Sequence, residues 1–184
     1  MATPPVFTSG SILTAAQMSA VGLWRISSGT QALTTTPTAF TSLFTGSDYA
    51  NYRLMVKTTA SSGGNKLLFR FLASTTPSTA SYYCGGVGGD YSSAASVYFE
   101  RSNNASALSL GPAVGSTARI ATLDIIGPNV ANKTLYSGYY SDASNNISFT
   151  IGGVHDVATA YDGFDIGTNT GTQTIEWELY GYNN

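Results

Sequence analysis

Residues 52–57 read Tyr52-Arg53-Leu54-Met55-Val56-Lys57. Tyr52, Leu54 and Val56 alternate with Arg53, Met55 and Lys57, and a two-residue period puts one set on each face of an extended chain. The same period recurs along the sequence. Leu67, Phe69 and Phe71 alternate with Lys66, Leu68 and Arg70; Ile147, Phe149 and Ile151 alternate with Ser148 and Thr150. Ile175, Trp177 and Leu179 alternate with Thr174, Glu176, Glu178 and Tyr180, which places Trp177 in the core and the two acids on a solvated face. Ala118 to Ile126 is more uniformly apolar and predicts a strand buried on both faces.

Turn residues separate these runs: Ser61-Ser62-Gly63-Gly64-Asn65, Gly127-Pro128-Asn129, Ser144-Asn145-Asn146 and Asn169-Thr170-Gly171. The spacing predicts about nine to eleven strands in roughly 160 residues, an all-β antiparallel β-sandwich of jelly-roll type. The glycine- and tyrosine-rich stretch Ser81 to Ser96 breaks the alternation and predicts a flexible aromatic loop between strands.

Residues 1–22 differ in character from residues 23–184. Pro4 and Pro5 exclude regular structure at the start. Thr14 is suited to cap a helix, Gln17 stands three residues on as a capping box requires, and Gly22 can end it. The result is a short extended lead and one short helix, too short to be stable undocked, ahead of a β head domain.

Composition narrows the function. Only 10% of the 184 residues are charged, against about 25% in an average domain. A surface of hydroxyls, amides and tyrosine suits a chain partly covered by copies of itself. The eight Lys and Arg are scattered singly, so no basic patch meets nucleic-acid phosphates. No apolar run approaches the roughly 20 residues of a membrane span, and Met1 to Ser11 lacks the pattern of a signal peptide. Cys84 is the single cysteine and makes no internal disulfide.

The chemistry-bearing residues are few. Nucleophilic catalysis needs a Ser or Cys beside a His that a carboxylate orients. His155 is the one histidine, and Asp156 next to it would point to the opposite face of a strand. Glu176 and Glu178 share a strand face, as glycoside hydrolysis would require, but read more simply as solvated residues. Asp156, Asp162, Asp165 and Asn169 offer oxygen ligands without the spacing of an EF-hand loop. Gly85-Gly86 and Gly88-Gly89 precede no helix with a Lys, so they form no phosphate loop. The expectation is a protein that is not an enzyme and holds no cofactor.

The tyrosines are more distinctive. Tyr82, Tyr83 and Tyr91, with Tyr139 and Tyr140, present an apolar ring and a hydroxyl at small entropic cost, which suits contact with sugars or protein surfaces. They are the candidate partner-binding residues.

Three stretches carry a family resemblance. The opening Phe7-Thr8-Ser9-Gly10-Ser11-Ile12-Leu13-Thr14-Ala15-Ala16-Gln17-Met18 resembles the start of tailed-bacteriophage virion proteins. So do Phe40 to Leu54 followed by Leu67-Leu68-Phe69-Arg70-Phe71, and the ending Ile175 to Tyr182. The resemblance implies a virion surface protein, often a homotrimer, assembled in the host cytoplasm, with no catalytic residues. It implies attachment to other virion proteins through the N-terminal segment, with Phe7, Ile12, Leu13 and Met18 as its apolar contacts. Two roles follow. One is a tail-fibre or tail-tip component that adheres to the host surface, with a surface glycan as a possible ligand. The other is a head decoration, collar or head-fibre protein with a purely structural role.

Overall fold

The computed structural model describes residues 22–46, 48–91, 96–112 and 118–183. The helix expected before Gly22, and the attachment residues Phe7, Ile12, Leu13 and Met18, lie outside the described residues.

Among the described residues thirteen strands follow in chain order: β1 Trp24–Leu33, β2 Thr38–Phe40, β3 Asn51–Ser61, β4 Leu67–Ala73, β5 Thr76–Pro77, β6 Tyr82–Asp90, β7 Ser96–Ala105, β8 Leu108–Ser109, β9 Arg119–Ile126, β10 Thr134–Asp142, β11 Ile147–His155, β12 Gly163–Thr168 and β13 Gln173–Tyr182. They form two antiparallel sheets in a sandwich-like arrangement. The larger has the order β1-β13-β3-β9-β10-β11-β6-β7; the smaller has β2-β12-β4-β5, with β8 also on β4. The chain passes between the two sheets repeatedly; one passage runs from β3 to β4 and another from β12 to β13. Because β3 pairs with β13 and β4 with β12, these two crossings lie side by side.

The alternating residues fill the space between the sheets. Leu54, Val56, Leu123, Ile125, Phe149, Ile175 and Leu179 enter from the larger sheet, and Phe69, Phe71, Phe164 and Ile166 from the smaller. Phe164 is the hinge of the aromatic packing, with ring centroids 5.1 Å from Phe40 and 5.3 Å from Phe69. Trp177 is buried as its period predicts, edge-on to Phe40 at 4.7 Å. Each such side chain contributes roughly 1.5–3 kcal/mol by leaving water.

Two strands depart from the sequence-based expectation. β9 is not buried on both faces; Ile120 and Ile126 are exposed while Ala121, Leu123 and Ile125 point inward. The doubly buried strand is β12, whose sequence Gly-Phe-Asp-Ile-Gly-Thr hides that fact. Its second face is closed by polar and small groups. Asp165 accepts from Arg70 Nε at 2.9 Å and Nη2 at 2.6 Å, and Gly167 leaves room for Pro37, which a Cβ would meet at 3.0 Å.

The stretch read as a flexible loop is mostly strand β6, held between β11 and β7. Its glycines serve close approach. Gly86 and Gly88 face inward under Phe149; a Cβ would lie 2.6 Å from Phe149 Cζ at Gly86 and 2.7 Å from Phe149 Cδ2 at Gly88. Glycine inside a strand marks such an approach as readily as it marks a loop.

Candidate binding face

The strand registers lay out the outer face of the larger sheet in rows. One row runs Met55, Thr122, Tyr139, Thr150, Val87, Phe99; the next runs Lys57, Ile120, Ser141, Ser148, Gly89, Val97. Charge divides this face in two.

On the half made by β1, β13, β3 and β9, the ionised side chains pair within the chain. Arg53 holds Asp124 through two bonds of 2.8 Å, which raises its own pKa chiefly through those hydrogen bonds. Lys57 holds Glu176 at 2.9 Å, and Arg25 lies 3.7 Å from Glu178. A cleft of about 490 Å³ opens here between Ser28, Thr30, Met55, Ile120, Glu176 and Glu178. It does bring the two glutamates to one surface. Each already has a cation, and Glu178 also accepts from the Tyr180 hydroxyl at 2.7 Å.

The half made by β10, β11, β6 and β7 is almost without charge. Arg101 is the charged side chain on its outward face, and Asp90 ends β6. Glu100 is turned to Lys66, with which it forms an ion pair. What this half exposes is apolar: Phe99 is 81% exposed, Tyr91 72%, Val97 62%, Val87 48% and Tyr139 42%. A second cleft, of about 410 Å³, runs between Val87, Gly89, Tyr91, Val97, Ser148 and Thr150.

Tyr91 walls that cleft. Its backbone N–H donates to the Asn146 carbonyl at 3.0 Å, and its ring stands over Gly89, where a Cβ would lie 3.2 Å from Tyr91 Cζ. Next to it the Tyr139 and Ser148 hydroxyls share a 2.7 Å hydrogen bond, and Thr150 Oγ1 donates to the Val87 carbonyl at 3.2 Å. Tyr91 and Tyr139 are thus outward as expected, and Tyr83 is half-buried on the same face.

Tyr82 and Tyr140 are not surface residues, which corrects their reading as contact residues. Period two sends them inward. Tyr82 is fully buried; its oxygen accepts the Phe71 N–H at 2.7 Å, and its ring stacks on His155 at 4.3 Å. Tyr140 is buried with its hydroxyl 3.4 Å from Asp142. Burial pushes both phenols well above their ordinary pKa.

His155 lies at the end of β11, fully buried. Nε2 is 2.7 Å from the Tyr161 hydroxyl and Nδ1 3.3 Å from the Ser81 carbonyl. Desolvation lowers its pKa against the opposing pull of the Ser81 carbonyl. Asp156 pairs instead with Lys133 at 2.5 Å. The oxygen ligands weighed for a metal are engaged separately: Asp162 accepts the Ser74 N–H, Asp165 holds Arg70, and Asn169 accepts the Lys66 N–H. Among the described residues no three His, Cys, Asp or Glu side chains converge.

Sequence reading missed Val87, Val97, Phe99, Gly89, Ser148 and Thr150. Val97, Phe99 and Arg101 alternate like the other strands, so β7 carried a signal. Nothing in the sequence tells that no described residue covers their face. Comparison with protein-family models, with curated proteins and with solved structures finds no match for this chain.

Proposed function

We propose that the chain is a non-enzymatic component of a tailed-bacteriophage particle, a tail-fibre or tail-tip protein with a jelly-roll-like head. Residues 1–22 attach it to other virion proteins, and the uncharged half of the larger sheet meets the host surface. The observation that carries this reading is the division of the outer face. Ion pairs are satisfied within the chain on one half, and the other half offers exposed rings, aliphatics and hydroxyls with almost no charge. Exposed apolar groups gathered on one face mark a contact surface. The side-by-side crossings between the sheets support the jelly-roll assignment, and the N-terminal resemblance supports the particle.

A second reading, a head decoration, collar or head-fibre protein, draws on Val97 and Phe99. They stand on the edge strand β7, where a long apolar edge suits contact with another virion protein. In either role the chain works as a homotrimer. Immunogold electron microscopy of purified particles tests location. Label at the tail tip is the expected result; label over the head selects the second reading; particles without the chain overturn both. Light scattering tests the trimer, and a stable monomer of 19.2 kDa on the particle-free chain and after release from particles would refute it.

A further inference from the structure

We propose that the cleft between β11, β6 and β7 is a subsite for one or two rings of a neutral saccharide, with Tyr91 as its stacking platform. The inference rests on the adhesive reading above and names its ligand class.

Four features of the cleft lead there. Its volume of about 410 Å³ lies in the range of small-molecule sites, roughly 300–1,000 Å³. Its wall is an aromatic ring that is 72% exposed, carried on a backbone that the Asn146 carbonyl holds and standing over the side-chain-free position of Gly89. Its other side is aliphatic, from Val87 and Val97. Hydroxyls border it: Ser148, Thr150 and Ser96 line the cleft, and Tyr139 joins Ser148. A sugar ring has the matching chemistry, with C–H groups on its faces for the tyrosine and hydroxyls on its rim for the serines and threonine.

The charge pattern selects a neutral sugar. No Lys, Arg or His lines the cleft, and Asp90 at its end is an acid. A sialylated, uronic or phosphorylated glycan would bring a negative charge into a cleft whose lining offers no cation to receive it. The cleft over Glu176 and Glu178 differs, since Lys57 and Arg25 sit in or beside it and each already has a partner.

Gly89 gives the inference its sharpest handle. A Cβ there would meet the Tyr91 ring, 3.2 Å from Cζ, and no core atom among its nearest neighbours, so a branched side chain shifts the ring and leaves the core alone. The test is saturation-transfer NMR and titration of the full chain with maltose, lactose and N,N′-diacetylchitobiose, and with sialyllactose and a galacturonate disaccharide. Native protein, Tyr91→Ala, Tyr91→Phe, Gly89→Val and the distant control Thr59→Ala are compared, with adhesion to host cells measured in parallel. Millimolar binding of at least one neutral sugar is expected, insensitive to salt. It should weaken about tenfold or more in Tyr91→Ala and Gly89→Val and be kept in Tyr91→Phe and the control. Preference for the acidic sugars, or neutral binding unchanged in Tyr91→Ala and Gly89→Val, overturns the inference. Loss of cell adhesion in Tyr91→Ala with no sugar bound by native protein also overturns it, while leaving the adhesive reading in place. Absence of cell adhesion by the native chain refutes the adhesive reading itself.

Discussion

Replacing Tyr82 separates a core role from a contact role. Its ring is fully buried between Phe71, 6.1 Å away, and His155, 4.3 Å away. Its oxygen accepts the Phe71 N–H at 2.7 Å and reaches the Ser78 carbonyl at 3.4 Å. Tyr82→Phe keeps the ring and removes the acceptor. A buried amide left without a partner costs about 1–3 kcal/mol. A domain of this length loses about 2–4 °C of melting temperature per kcal/mol, so the melt should fall by about 2–12 °C. Tyr82→Ala removes the ring as well and should cost about 3–5 kcal/mol or more, as for other large aromatic deletions. Tyr91→Phe, on the surface, should stay within about 0.5 kcal/mol. Urea unfolding at constant m value is the assay. The reasoning fails if Tyr82→Phe is as stable as the native chain, or if it loses partner binding with its stability intact.

Three further outcomes are expected. Burial holds the His155 pKa below its ordinary value, so the unfolded chain binds a proton that the folded chain refuses. The associated stability is complete above about pH 6.5 and is lost as pH falls toward the folded pKa, with a slope of up to about 1.4 kcal/mol per pH unit; denaturation across pH 7.5 to 5 should show this slope, and His155→Gln should flatten it. Trp177→Ala should cost about 3–5 kcal/mol, and an unchanged melt would show that the indole is not in the core. A chain beginning at Leu23 should keep a cooperative melt and a β-type circular dichroism spectrum, because residues from Trp24 onward build a closed core among themselves; aggregation or a broad melt would make residues 1–22 part of the fold.

Much of the architecture was legible locally. Tyr52 to Lys57 and Ile175 to Leu179 alternate because successive side chains on a strand point to opposite faces, and one face must leave water. The four turn clusters fall between strands for the same local reason: glycine, proline and asparagine suit the backbone of a turn. Where the reading failed, a neighbour decided. Gly86 and Gly88 look like loop residues alone, and become strand residues because the Phe149 ring and the Thr150 and Ser148 carbonyls of β11 occupy the place of their missing side chains. β12 looks too polar for the interior, and is buried because Arg70 answers Asp165 and Pro37 fits Gly167.

The sequence by itself determined that residues 23–184 are built from antiparallel strands and that the chain is poor in charge, since period, turn chemistry and composition are properties of short stretches. Only the tertiary structure decided that Tyr82 and Tyr140 are core while Tyr91 and Tyr139 are surface. It also decided which half of the outer face keeps its charges paired and which offers rings and hydroxyls. Those outcomes depend on the registers that place Gly89 beside Val97 and Ser148, and Asp124 beside Arg53. A register joins residues far apart in the chain, and no local pattern encodes which partner a strand face will meet.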